Sequence, residues 1–436
     1  MNFIVALGAL VGLFAVFAPW LSFRANRLVP GEGVAFWAFA SPLKWIVLGS
    51  WLLALCFAWT PKRTRAWPTV LLAALAALAA TLLIGVEAAR LMSESTPFAR
   101  VSPSAGTWLS LLAVYVVSFG AARDVRFGGV PTLLAVIAPP LLGAWRDLGP
   151  MLELRNVADT FGQQLVQHAA LSVVAVLLAT LVGLPLGVAA ARNRRLEGAV
   201  LATTGFFQTV PSLALFGVLL PILAVLGRGV NVGTYLLVTL GAALVGFALT
   251  RMKRARVLGA FLASLGSLGA AFLLGIGALN AVAGQGVTLA LGAPLADAGL
   301  RGIGSAPALV ALTLYALLPI VTNTFVGLRS VPEGVRDAAR GMGMTPRQVL
   351  MRAEVPLAWP FILDGLRGSL VLTFGLTTIA ALIGAGGLGF FILRGVESGT
   401  SDLVLLGAVP IVVLALALDA ALKFIARLAT PKGLRT

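Results

Sequence analysis

The run Val166-Gln-His-Ala-Ala-Leu-Ser-Val-Val-Ala-Val-Leu-Leu-Ala-Thr-Leu-Val-Gly-Leu-Pro-Leu-Gly-Val-Ala-Ala-Ala191 contains no Asp, Glu, Lys or Arg, and Arg192, Arg194 and Arg195 follow it at once. A bilayer core takes about 20 apolar residues of helix, so this run is long enough to cross a membrane, and its basic flank marks one face. Stretches of the same kind recur along the whole chain. Of its 436 residues, 59% are of hydrophobic type and 11% are charged, against about 25% charged in an ordinary soluble domain, and mean hydropathy is +1.00. This composition excludes a soluble globular enzyme and describes an all-α polytopic membrane protein. The formal charge of +16 admits nucleic acid as a partner in principle, but basic residues at membrane boundaries serve orientation and lipid contact instead.

Apolar runs separated by charge or turn signals predict spans near 3–22, 45–60, 67–86, 107–122, 127–144, 166–191, 199–226, 232–250, 257–282, 306–328, 361–383 and 402–425. The first run has no Arg or Lys before it, which favours a permanent span over a cleaved signal peptide. The fifth is interrupted by Pro131, Pro139 and Pro140. With the N-terminus in the cytoplasm, 21 Lys and Arg fall inside, including Lys62, Arg63 and Arg65; Arg123 and Arg126; Arg192, Arg194 and Arg195; Arg251, Lys253, Arg254 and Arg256; and Lys423, Arg427, Lys432 and Arg435. Ten fall outside, Arg24, Arg27 and Lys44 among them. That asymmetry predicts both termini inside.

Isolated polar residues within the runs have plain readings. Cys56 has no second cysteine to pair with, and His168 is the single histidine, so Cys/His metal clusters lack ligands. Asp419 is the clearest acid deep in an apolar run; it reads either as a proton or ion site or as the partner of Lys423, four residues on and on the same helix face. Trp20, Trp45, Trp67 and Trp108 sit at span edges, where tryptophan anchors the membrane interface.

The longest strongly charged cytoplasmic segment is Val331-Pro-Glu-Gly-Val-Arg-Asp-Ala-Ala-Arg-Gly-Met-Gly-Met-Thr-Pro-Arg-Gln-Val-Leu-Met-Arg-Ala-Glu-Val-Pro356. Pro332 opens a helix through Ala339, and Gly341 and Gly343 supply a break where positive φ is cheap. Thr345, Pro346 and Gln348 have the spacing of a capping box with proline in the first helical position, and Pro356 is expected to stop the second helix. Val349, Leu350 and Ala353 form an apolar stripe with Arg347, Arg352 and Glu354 around it. An amphipathic hairpin of this kind rests on lipid headgroups or in a protein groove; its shortness and mixed charge favour the groove.

Asp337-Ala338-Ala339, Gly343 after three further residues and Pro356 thirteen residues later resemble the loop of binding-protein-dependent ABC importer permeases, which begins Glu-Ala-Ala and ends near Ile-x-Leu-Pro. This chain departs from that pattern at Asp337, Ala353 and Val355. The resemblance implies a type I importer core in which residues 333–356 insert into a cleft on a cytoplasmic ATPase, with Glu333, Asp337, Ala338, Ala339, Gly343, Thr345, Leu350 and Pro356 forming the coupling element. Phe207-Gln-Thr-Val-Pro-Ser-Leu-Ala-Leu-Phe216, Leu314-Tyr-Ala-Leu-Leu-Pro-Ile-Val-Thr-Asn-Thr324 and Ile379-Ala-Ala-Leu-Ile-Gly-Ala-Gly-Gly-Leu-Gly389 resemble the glycine betaine, choline and proline permeases of osmoprotectant import. Asn26-Arg-Leu-Val-Pro-Gly-Glu-Gly33 is similar to an extended N-terminal region found in some of them. The resulting division is an N-terminal transmembrane extension of about five helices over 1–150, core over 151–228, a two-helix insertion over 229–301, core again over 302–425, and a basic cytoplasmic tail over 426–436.

A permeation path needs backbone freed from regular helix, which a bilayer tolerates only where protein or a water-filled cavity satisfies it. Pro211, Pro221 and Pro319 mark kink positions. Gln208, Thr209 and Ser212 beside Pro211, and Thr322, Asn323 and Thr324 on the tenth span, are neutral hydrogen-bonding groups that either line a path or join helices. The glycines at 384, 386, 387 and 389 suit close packing or a tight re-entrant turn at the outer surface. None of the five lysines stands in a Gly-x-x-x-x-Gly-Lys-Ser/Thr setting, so no ATP is expected to be hydrolysed, and no cofactor bound, by this chain. ATP and Mg belong instead on partner ATPase subunits. The expected assembly adds an ATPase dimer, a second permease subunit and an extracytoplasmic binding protein in the inner membrane, with no nucleic acid. Two other readings stand beside it: an ion-coupled secondary transporter, which predicts essential buried ionisable residues and no need for the hairpin, and an ABC permease for another small solute such as an amino acid.

Overall fold

The computed structural model describes residues 2–429 except 27–28, 96–97, 123–124, 126–127, 253–254 and 285. Of the basic residues that bear on orientation, Arg27, Arg123, Arg126, Lys253, Arg254, Lys432 and Arg435 lie outside the described residues, as does 430–436 of the basic tail. Among the described residues nine helices are long and apolar enough to cross a membrane, and Phe3–Ala15, Leu43–Ala58 and Gly129–Leu141 are shorter apolar helices. They occupy the twelve expected places, which is compatible with twelve spans. The chain divides into two compact units, one of residues 1–158 with 398–406, the other of 159–397 with 407–436.

In the first unit the order is α1 (Phe3–Ala15), β1 (Pro19–Arg24), β2 (Glu32–Ala35), α2 (Leu43–Ala58), α3 (Lys62–Ser93), β3 (Arg100–Pro103), α4 (Ala105–Ala122), α5 (Gly129–Leu141) and α6 (Gly149–Asn156). Asn2 caps α1, its Oδ1 accepting the Val5 N–H at 3.2 Å while its Nδ2 donates to the Gly120 carbonyl at 3.1 Å. Gly12 lies against the Trp51 ring and Gly8 against Val117, so the absence of side chains on α1 lets the helices close. The three strands form an antiparallel sheet in the order β2-β1-β3, pairing Leu21 with Val34 and Pro103, and Phe23 with Glu32 and Val101. This sheet is an addition to the all-α expectation. The first apolar run does not continue as helix to residue 22: α1 ends at Ala15, and Trp20, expected at a membrane interface, is fully buried in the sheet's core. Its ring packs 4.9 Å from Phe36 and its Nε1 donates to the Ala15 carbonyl at 2.9 Å, the partner a buried indole requires. Trp45, Trp67 and Trp108 are exposed as expected. Glu87 on α3 is buried, accepting the Ser41 N–H at 2.7 Å and the Arg90 Nε–H at 2.8 Å.

The second unit continues with α7 (Ala158–Arg192), α8 (Arg194–Thr209), α9 (Ser212–Gly229), α10 (Val232–Thr250), α11 (Arg256–Val282), α12 (Ser305–Arg329), α13 (Glu333–Gly341), α14 (Pro346–Val349), α15 (Val355–Ala380) and α16 (Gly389–Glu397), followed by most of α17 (Ser401–Ala429). Its core joins Leu171, Ala175 and Leu178 of α7 to Leu309 and Leu312 of α12 and to Leu273, Ile276 and Leu279 of α11. Thus α11 packs within the core. By contrast α10 is mostly exposed and rests on α11 through glycines: a Cβ at Gly246 would lie 2.2 Å from the Ala263 nitrogen, and one at Gly266 would lie 2.3 Å from the Thr239 carbonyl. Asp419 is the partner of Lys423, at 2.7 Å, and also of Arg367, at 2.8 Å. His168 is buried with Nε2 3.1 Å from the Phe374 carbonyl.

In this unit two expected helix limits change. The seventh run, 199–226, is broken: Val210 and Pro211 are extended, and α8 and α9 are separate helices, because Pro211 lacks the N–H that would continue the ladder and pushes Val210 out of the helical region. The freed Val210 carbonyl accepts a hydrogen bond from the Tyr315 hydroxyl of α12. Pro356 does not stop a helix. It lies in the first turn of α15, where a missing N–H is tolerated, and a π-helical turn over Leu350–Glu354 joins α14 to α15 without interruption.

Two substitutions test this packing. Gly246→Val puts a side chain where the α11 backbone lies and should destabilise the folded protein by about 1–3 kcal/mol, read as a lower unfolding temperature in detergent; Gly217→Ala, which meets nothing within 4 Å, is the control and should change little. Tyr315→Phe leaves the Val210 carbonyl unpaired and should cost about 1–3 kcal/mol by the same measurement.

Candidate coupling hairpin and transport path

The hairpin is built from local signals that all close. Pro332 precedes α13, and at its end the Met344 N–H bonds the Ala339 carbonyl at 3.2 Å while the Gly343 N–H bonds Arg340 at 2.9 Å, the paired bonds of a glycine-terminated helix. Gly343 has φ +79°; Gly341 is the last helical residue and does not take positive φ. Thr345 then opens α14: its N–H donates to Gln348 Oε1 at 2.8 Å and its Oγ1 accepts the Gln348 N–H at 3.4 Å, the reciprocal cap that the spacing predicts.

Of the residues assigned to coupling, Glu333, Asp337, Ala338, Gly343 and Thr345 are exposed, Leu350 and Pro356 are half-buried, and Ala339 is buried. The apolar stripe turns inward: Val349 is buried, and Leu350 packs against the cluster of Leu328, Ala358 and Ile362. What remains for a partner is the charged side of α13 together with Met342 and Met351, both well exposed. Arg340 bonds Asp337 at 3.2 Å along the helix. Beneath the hairpin is a cleft of about 460 Å³ lined by Arg192, Arg329, Arg336, Arg340, Met344 and Glu354 among others.

The residues considered for a path fall in different surroundings. Gln208, Thr209 and Pro211 are exposed and Ser212 is half-buried, at the break between α8 and α9; Thr209 Oγ1 donates to the Phe206 carbonyl at 2.8 Å. Thr322 and Asn323 are half-buried on α12, Asn323 donating to the Pro319 carbonyl at 2.8 Å. Thr324 is fully buried against Gly187 of α7.

A second polar site forms at the opposite end of α7 from the hairpin. Gly384, Gly386 and Gly387 all have positive φ, which makes the run a tight turn, while Gly389 packs on the Thr378 carbonyl. Gln164 Oε1 accepts the Gly387 N–H at 2.6 Å, and Gln167 Nε2 donates to the Ala385 carbonyl and to Ser305 Oγ, each at 3.3 Å. A cleft of about 140 Å³ lies between these glutamines and the turn. The roles of these glutamines, of Tyr315 and of the ion pairs of Glu354 are not evident from the sequence; neutral amides at 164 and 167, at the start of an apolar run, are the available signal.

A family model described as the N-terminal domain of the ABC transporter permease YehY matches residues 2–148, and one described as binding-protein-dependent transport system inner membrane component matches residues 183–431. The osmoprotectant import permease protein OsmW of Salmonella typhimurium strain LT2 is 32% identical over 269 residues, covering 62% of this chain and 91% of that protein. The glycine betaine/carnitine/choline transport system permease protein OpuCB of Bacillus subtilis strain 168 is 28% identical over 289 residues, 65% of this chain and 97% of that one. A chain of the MetNI methionine ABC transporter in an inward-facing conformation is 19% identical, covering 61% of this chain and 94% of that one, with a TM-score of 0.41. With its model matched over more than half of the sequence, this chain belongs to the family of binding-protein-dependent transport system inner membrane components.

Proposed function

We propose that this permease imports glycine betaine or a related quaternary ammonium solute such as choline or carnitine. The observation that carries the reading is the likeness to OsmW, an osmoprotectant import permease, across nearly its whole length. The polar residues at the α8–α9 break and on α12 support it: they are neutral, and a solute with compensating charges passes best along groups that bond it weakly. Alternating access fits the broken helices, with Gln208, Thr209, Pro211, Ser212, Thr322 and Asn323 nearest the path and Thr324 held in the packing beside it.

In this reading both termini are cytoplasmic and the hairpin of α13 and α14 faces the cytoplasm, where it docks on a separate ATPase dimer that holds ATP and Mg. A second permease subunit completes the membrane part, and an external protein captures the solute. Residues 1–150 form an N-terminal extension, and 229–301 an insertion whose second helix, α11, has been taken into the core. The secondary-transporter reading is weakened at Asp419, its candidate ion site, because that carboxylate is paired with Lys423 and Arg367.

The exposed face of α13 should be sensitive to charge and bulk. Asp337→Lys, or Gly343→Ile at its positive φ, is expected to abolish co-purification of the ATPase subunits while membrane insertion is retained; full ATPase occupancy in both variants would remove the coupling role. Substrate class is read by ATP hydrolysis in liposomes containing the complete complex. Glycine betaine, choline or carnitine with the binding protein should stimulate it, and methionine should not. Failure of all three would refute the substrate class and leave the permease assignment intact.

A further inference from the structure

Glu354 closes the π-helical turn, and its side chain is 9% exposed. Its two oxygens serve different elements. Oε2 accepts Arg192 Nη2 at 2.8 Å from the end of α7, and Oε1 accepts Arg336 Nε at 3.1 Å from α13. Both guanidiniums reach further: Arg336 Nη2 donates to the Leu328 carbonyl of α12 at 2.7 Å and its Nη1 to Glu333 at 3.0 Å, and Arg192 donates to the Pro346 carbonyl of α14 at 3.4 Å. One carboxylate and two guanidiniums therefore join α7, α12, α13, α14 and the start of α15.

The backbone is shaped to allow this. The Val355 N–H bonds the Leu350 carbonyl, five residues back, so the turn holds one more residue than an α turn; π turns of this kind are frequent at functional sites. A carboxylate paired on both oxygens and sheltered from water resists separation, because removing one partner leaves an uncompensated charge. The hairpin thus has a rigid link to three membrane helices at a single point, whereas its outer face carries only exposed pairs, which are weak.

We propose that Glu354 is the positioning residue of coupling: it is the pivot through which movement of α13 reaches the cytoplasmic end of α7 and the start of α15 together. The proposal rests on the coupling role assigned to the hairpin above. Glu354 contacts neither solute nor nucleotide in this role. Its loss should leave docking intact, because the exposed face of α13 is unchanged, but should disconnect docking from the spans.

The test compares the native complex with Glu354→Gln and Glu354→Asp, using amide hydrogen exchange with and without ATP. In the native complex ATP should change exchange in both α13 and the last turns of α7. In Glu354→Gln the α13 response should persist and the α7 response should fall at least about fivefold; Glu354→Asp, which keeps the charge, should recover part of it, a result that a loss of packing alone would not give. Glycine betaine moved per ATP hydrolysed should fall in parallel. An undiminished α7 response in Glu354→Gln, or an unchanged ratio of solute to ATP whatever the yield of folded complex, overturns the pivot. Absence of any α13 response in the native complex overturns the coupling assignment itself and the pivot with it.

Discussion

A backbone polar group inside a bilayer has no lipid partner to bond, so every departure from helix must be matched by protein or by a water-filled cavity. Two departures from helix in the second unit are matched in this way. Where Pro211 ends α8, the Val210 carbonyl takes the Tyr315 hydroxyl. Where three glycines of positive φ turn the chain after α15, Gln164 receives the Gly387 N–H and Gln167 donates to the Ala385 carbonyl. Long-range side-chain bonds thereby stand in for helical ones.

Charge obeys the same constraint with a larger penalty. Three carboxylates among the described residues are held by guanidinium or ammonium groups: Glu87 by Arg90, Asp419 by Arg367 and Lys423, Glu354 by Arg192 and Arg336. The first two pairings join neighbours on one helix or two adjacent helices. Glu354 differs because both its partners come from elements other than its own, α7 and α13. A pair within a helix moves with that helix and transmits nothing, whereas a pair that joins elements must either hold through a movement or break during it. That difference in connectivity sets Glu354 apart, since burial alone does not distinguish it from Glu87.

Most of what was legible in the sequence was legible because its cause is local. Apolar length marks the spans, the Thr345–Gln348 spacing gives the cap that is seen, and Gly343 takes the positive φ that its position demands. The features that escaped depend on partners far along the chain. Trp20 reads as an interface residue from its neighbours, and only the strand pairing with residues near 34 and 102 encloses it. Pro356 reads as a stop until the π turn before it is seen to align it with the first turn of α15. Glu354 reads as one charge among several around a stripe, because Arg192 is 162 residues away. Sequence periodicity carries no information on a contact of that span.

Packing between the helices explains how so polar a minority can be accommodated in so apolar a chain. Lipid is as apolar as leucine, so helices in a bilayer gain little from burying large side chains against each other and associate through close contact of small ones. The approach of α10 to α11 at Gly246 and Gly266 is of this kind. The same device operates on α12, where Gly187 of α7 admits Thr324 and Gly365 of α15 fits against Asn323 and the Pro319 carbonyl. A hydroxyl or amide buried next to a glycine occupies space that a larger neighbour would have filled, so small residues on α7 and α15 are what permit polar ones on α12. The polar residues of that helix therefore divide by what opposes them. Thr324, enclosed by Gly187, is committed to packing, whereas Thr322 and Asn323 stay half-buried.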